Sequence, residues 1–180
     1  MRIYTRKGDD GTTGLLFGGR VSKDAPAPSA YGDVDEAQAV LGLARAECGD
    51  DAELDALLVR LERELWVLMS ELATAPDNRG KLKPGTSLVT AEMVEALEPV
   101  IDDITSRFDA PTEFVVPGQN RPSALLDLAR TVVRRAERHA LAVVVPGSHV
   151  VPYLNRMSDL LWTMARWQEG AYLPARERKA

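Results

Sequence analysis

Ala124-Leu125-Leu126-Asp127-Leu128-Ala129-Arg130-Thr131-Val132-Val133-Arg134-Arg135-Ala136-Glu137-Arg138-His139-Ala140-Leu141 decides the fold class. At about 100° per residue, Leu125, Leu128, Ala129, Val132, Val133, Ala136 and Ala140 fall on one broad arc. Arg130, Arg134, Glu137 and Arg138 fall on the other side, with Asp127 joining them. This is an amphipathic helix, expected over 122–144, with Pro122 in its first turn and Pro146-Gly147 ending it. Three guanidiniums in one band repel each other, and Glu137 offsets only part of that charge. Arg presents planar forks that match phosphate oxygens. The spacing therefore admits two readings: a polyphosphate site, or a solvated face with local ion pairs.

The neighbouring segments repeat the helical period. Leu54, Leu57, Leu58, Leu61, Leu65, Leu68, Met69 and Leu72 predict a helix over 52–74. Others are expected over 29–48 with Ser29 as N-cap, over 90–108 with a kink at Pro99, and over 149–170. In the last, Asn155, Asp159, Trp162 and Arg166 share one side. Phe114-Val115-Val116-Pro117-Gly118 reads as an extended loop, since no partner strand is evident. The expectation is an all-α, up-and-down five-helix bundle in one domain, residues 1–180. Residues 1–28 form a loop, 29–170 the bundle and 171–180 a frayed polar tail.

Composition narrows the function classes. The 180 residues are 45% hydrophobic and 27% charged, the balance of a soluble globular chain. A net charge of −5 argues against a nucleic-acid-coating protein. Cys48 is the single cysteine, which excludes an intramolecular disulfide framework and a multi-cysteine zinc site. No run nears the roughly 18–20 apolar residues of a membrane helix, and the N-terminus lacks an apolar secretory core. The expected compartment is the cytoplasm.

The first 28 residues have loop chemistry. Gly8, Gly11, Gly14, Gly18 and Gly19 are interleaved with Thr, Asp and Ser, and Thr5-Arg6-Lys7-Gly8-Asp9-Asp10-Gly11-Thr12-Thr13-Gly14 combines cations, free amides and hydroxyls. Those are the parts of a phosphate cradle, with Asp9 and Asp10 as candidate Mg²⁺ supports; a plain flexible arm is the other reading. Neither a Walker A loop nor a dinucleotide fingerprint is present. His139 and His149 make no metal pair, and no nucleophile–base set stands out. That favours chemistry in which a bound cofactor supplies the nucleophile and the protein supplies position and charge stabilisation.

Six stretches occurring in order resemble one family. They are Tyr4-Thr-Arg-Lys-Gly-Asp-Asp-Gly-Thr-Thr-Gly14, Gly18-Gly-Arg-Val-Ser-Lys23, Tyr31-Gly-Asp-Val-Asp-Glu36, Phe114-Val-Val-Pro-Gly118, Ala129-Arg-Thr-Val-Val-Arg-Arg-Ala-Glu-Arg138 and Tyr153-Leu-Asn-Arg-Met-Ser-Asp-Leu-Leu161. Together they resemble the PduO-type ATP:cob(I)alamin adenosyltransferases over nearly the whole chain. Gln119 departs from that pattern, where a second glycine is usual, and so does Met157, where leucine is usual.

The resemblance implies a homotrimer with active sites between subunits, and transfer of the 5′-deoxyadenosyl group of ATP to the cobalt of cob(I)alamin, releasing triphosphate. It implies ATP binding by Thr5, Arg6, Lys7, Gly8, Asp9, Gly11, Thr12, Thr13, Lys23, Arg134, Glu137, Arg138 and Asn155, with Glu137 also toward Mg²⁺. It implies an inter-subunit salt bridge between Asp35 and Arg130 beside the corrinoid, and Phe114 on the lower cobalt face. Arg134 and Phe114 would be the catalytic residues, and an adenosylcobalamin-dependent enzyme would receive the product. The competing expectations are a non-catalytic nucleotide- or corrinoid-binding delivery or sensor protein of the same fold, and an unrelated helical interaction module.

Overall fold

Residues 3–176 are described by a computed structural model. They form β1 (Thr12–Gly14), β2 (Arg20–Ser22), α1 (Pro26–Ala46), α2 (Ala52–Leu72), a 3₁₀ segment (Pro76–Lys81), α3 (Ala91–Glu95), α4 (Glu98–Thr105), β3 (Val115–Val116), α5 (Arg121–Ala140), α6 (Val150–Glu169) and β4 (Leu173–Pro174). α1, α2, α5 and α6 are the long helices; α5 packs on α1 and α6, and α2 on α1. Small residues permit the close α1–α5 approach: Ala30, Ala37 and Ala44 on one helix, Ala129, Ala136 and Ala140 on the other, all buried. The leucines of α2 and Tyr153, Met157 and Leu161 of α6 complete one core.

Local chemistry sets the helix ends. Asp51 accepts the Leu54 N–H at 2.9 Å as the cap of α2. Asn120 and Ser123 form a reciprocal capping box on α5, and the Asn120 amide also donates to the Gln168 carbonyl, joining the start of α5 to the end of α6. Ser29 is not a cap: α1 starts earlier, with Pro26 and Pro28 in its first turn, and the Ser29 hydroxyl bonds back to the Ala25 carbonyl.

Two further expectations change. The helix over 90–108 is two helices, so there are six helices and not five among the described residues. Proline lacks an N–H and clashes with the preceding turn, so Pro99 sits in the first turn of a new helix rather than kinking an old one. The run at 115–116 is a strand after all. Its antiparallel partner is Leu173–Pro174, within the segment expected to fray. Residues 177–180 of that tail, with residues 1–2, lie outside the described residues. No described helix is long and apolar enough to cross a membrane.

Candidate functional site

Three groups of side chains stand out, and each starts from a local structural cause. The first is the N-terminal hairpin. Asp10 accepts the Thr12 N–H at 2.9 Å and the Thr12 hydroxyl at 2.7 Å, a side-chain turn that holds its carboxyl below the usual value of 3.8. Arg20 reaches across the strands to the Thr12 hydroxyl at 3.0 Å and to the Lys7 carbonyl. Lys23 lies over Gly8, where an added Cβ would sit 3.1 Å from Nζ and 3.2 Å from the Thr12 carbonyl, a tight fit that a larger residue would meet only by displacing its neighbours by a few tenths of an ångström. The Lys23 N–H also donates to the Gly11 carbonyl at 2.9 Å. Gly8, Gly11, Thr12, Thr13 and Lys23 are thus brought together, and Thr5, Arg6, Lys7 and Asp9 lie on the adjoining loop. Arg20 is the residue that sequence reasoning missed. Its position eight residues after Thr12 carries no signal until β1 pairs with β2.

The hairpin rests on its own bundle. The Leu16 N–H donates to the Ala73 carbonyl at 2.8 Å, and Asn78 to the Phe17 carbonyl at 3.4 Å. Beneath it, buried Glu71 accepts from Arg79 at 2.8 Å, Ser148 at 2.6 Å and the Val89 N–H at 2.8 Å. A buried carboxylate needs that full set of donors.

The second group is the arginine face of α5. Asn155 of α6 donates to Glu137 at 3.1 Å. Arg138 donates to the Arg134 carbonyl at 2.9 Å, and neither Arg134 nor Arg138 has a carboxylate partner among the described residues. Arg135, one step round the helix, differs: it pairs with Asp33 at 3.1 Å and with Glu36, and His139 also meets Asp33. The same helix therefore carries one neutralised guanidinium facing α1 and two open ones beside Glu137 and Asn155. No hydrogen bond or ion pair among the described residues joins this face to the hairpin.

The third group lines a cleft of about 510 Å³ that includes Phe114, Pro117, Arg130 and Trp162. Phe114 is 90% exposed, and the Ala175 N–H donates to its carbonyl at 2.8 Å. Asp127 does not belong to the arginine face. It is buried toward α6, where it accepts from Arg130 at 3.0 Å and pairs with Arg166. Arg166 is 4% exposed, pairs with Glu169 at 2.8 Å and stacks 5.7 Å from the Trp162 ring centre. Burial, partly offset by the Arg166 charge, pushes the Glu169 carboxyl up from its ordinary value. Leu128, expected in the core, is 48% exposed, and Leu126 takes the buried position. Asp35 is exposed on α1 with no described partner, so one chain does not bring it to Arg130.

Residues 3–168 match the family model described as cobalamin adenosyltransferase. The chain belongs to that family. A corrinoid adenosyltransferase of Citrobacter freundii is 40% identical over 171 residues, covering 93% of this chain and 95% of the relative. A corrinoid adenosyltransferase of Mycobacterium bovis is 41% identical over 170 residues, covering 92% and 87%. Among solved structures, a variant PduO-type ATP:corrinoid adenosyltransferase from Lactobacillus reuteri, complexed with cobalamin and ATP, superposes with a TM-score of 0.88 at 26% identity, covering 99% of this chain and 98% of that one. Another variant of that enzyme, complexed with ATP, gives a TM-score of 0.84 at the same identity, covering 97% and 100%. In this adenosyltransferase, then, the glycine hairpin, the open arginines and the Phe114 cleft sit on the family's fold, and no alternative fold need be considered.

Proposed function

We propose that the protein transfers the 5′-deoxyadenosyl group of ATP to the cobalt of cob(I)alamin, giving adenosylcobalamin and triphosphate. The observation that carries this is the pair of open guanidiniums, Arg134 and Arg138, beside Glu137 and Asn155. Cobalt(I) attacks C5′ of ATP; the cobalt–carbon bond forms, the C5′–oxygen bond breaks, and the electron pair leaves on triphosphate. The co-substrate brings the nucleophile, so the protein needs no general base. Its work is to orient the two substrates and stabilise charge growing on the leaving phosphate.

Lys7, Lys23, Arg134 and Arg138 would bind the phosphates, the loop amides and hydroxyls of residues 5–13 would wrap them, and Asn155 would take the ribose. Phe114, fully presented to the cleft, would occupy the lower face of the cobalt and keep it four-coordinate. Mg²⁺ fits as a cation carried mainly by triphosphate and water. Among the described residues no cluster of three His, Cys, Asp or Glu could hold a metal alone, and Glu137 is the one carboxylate on the arginine face. ATP as co-substrate suits a cytoplasmic protein.

The hairpin and the arginine face would carry complementary halves of an ATP site, yet no hydrogen bond or ion pair among the described residues joins them within one chain. A homotrimer that brings the hairpin of one copy to the arginines of the next supplies the missing contact, and would also let Asp35 meet Arg130 across the boundary. Solution mass is expected at three chains. The activity itself is tested by product analysis under excess substrate. Adenosylcobalamin and triphosphate should form in equal amounts over many turnovers. A single equivalent, or none with both ligands bound, would make the protein a carrier rather than a catalyst.

A further inference from the structure

We propose that Asp127 is a positioning residue for the corrinoid: it fixes Arg130 so that the terminal nitrogens of the guanidinium face the cleft occupied by Phe114 and Trp162. This rests on the reading of that cleft as the corrinoid site. Arg130 uses Nε to donate to one oxygen of Asp127, at 3.0 Å. That bond sets the plane of the fork and leaves both terminal nitrogens without a described partner. They are free for the amide carbonyls on the corrin rim, or for an acid from a second copy of the chain.

Asp127 cannot turn away, because its other oxygen holds Arg166. Arg166 in turn donates to Glu169 at 3.0 Å and is covered by Trp162. Three of these groups, Asp127, Arg166 and Glu169, are withdrawn from water, and none has a role in the transfer chemistry. Taking charges out of water is costly, and a buried pair is weak as a stabilising device. A network of this kind at the back of a cleft is better accounted for by what it holds in place. Here that is one half-exposed arginine on the cleft wall.

The test is a double-mutant cycle on cob(II)alamin binding to the full chain with ATP bound, read from the corrinoid absorption spectrum. Asp127→Asn should weaken cob(II)alamin about tenfold, the scale of one charge-assisted contact, while KM for ATP moves less than about twofold. In an Arg130→Gln background the same substitution should add less than about twofold. A full tenfold effect in that background, or parallel losses for ATP and corrinoid, would show that Asp127 serves the scaffold alone and overturn the assignment. Should Asp127→Asn fail to fold, Asp127→Glu keeps a charge for Arg166 while displacing the carboxylate, with the same outcomes expected and the same ones fatal. Wild-type protein that bound no cob(II)alamin would overturn the functional reading together with the assignment; wild-type binding left unmoved by Asp127→Asn would overturn the assignment alone.

Discussion

Arg134→Ala separates binding from folding more cleanly than any other change in this chain. The side chain is exposed and has no carboxylate or hydroxyl partner among the described residues, so truncation orphans nothing. Surface substitutions of that kind shift stability by about 0.5 kcal/mol or less. A charge-assisted bond to phosphate is worth about 1.5–3 kcal/mol, and 1.36 kcal/mol is tenfold, so KM for ATP or turnover should worsen by roughly 10- to 150-fold. Arg135→Ala is the matched control. It loses a half-exposed ion pair to Glu36 and one to the mostly buried Asp33, which His139 still partners, a cost of about 1 kcal/mol in stability, and it faces α1 rather than the proposed phosphates. The assay is steady-state kinetics against ATP with thermal melts of both variants. An Arg134→Ala protein that melts like wild type and keeps its KM and kcat would return the arginine face to a solvated surface. A large drop in its melting temperature would refute the claim that nothing depends on it structurally.

Arg166→Ala should do the opposite, leaving Asp127 and Glu169 buried without their cation and costing about 3–5 kcal/mol, measured by denaturant unfolding. Phe114→Ala should leave the unfolding midpoint near wild type, because the ring is already 90% exposed, yet reduce the four-coordinate fraction of bound cob(II)alamin, seen by its absorption or magnetic circular dichroism spectrum. Burial first, and the neighbouring Glu64 carboxylate second, hold the Tyr153 phenol well above its ordinary value of 10.0. The folded value exceeds the unfolded one, so this contribution is whole below pH 10.0 and is lost as pH rises beyond it. Unfolding free energy should fall in that alkaline range, and Tyr153→Phe should flatten the fall.

Much of the scaffold was legible because it rests on local periodicity. The leucines of α2 recur at three and four residues and all the long helices follow the same rule, so their positions come within a few residues of the observed ends. The failures share a different physics. Pro99 announced a disturbance, but whether it bends a helix or starts one depends on what the preceding turn packs against. The β3–β4 pair joins residues some 57 positions apart through two-residue strands, too short for any pattern. Asp127 lies at the edge of the arginine band on a wheel, and only the docking of α6, with Arg166 waiting, pulls it inward. Arg134 and Arg135 look alike as adjacent letters; Asp33 and Glu36 on α1 make them different. The residues proposed for the phosphates were readable as candidates because glycine, threonine and arginine carry their chemistry wherever they fall, whereas the cleft proposed for the corrinoid is assembled by long-range contacts.

A spectrophotometric assay tests catalysis of adenosyl transfer directly. The protein is mixed with ATP, Mg²⁺ and chemically reduced cobalamin under exclusion of oxygen. Catalysis of the transfer requires enzyme-dependent loss of the cob(I)alamin spectrum and appearance of the adenosylcobalamin spectrum, abolished when ATP is omitted. A cob(I)alamin spectrum that persists with folded protein and saturating ATP would contradict it.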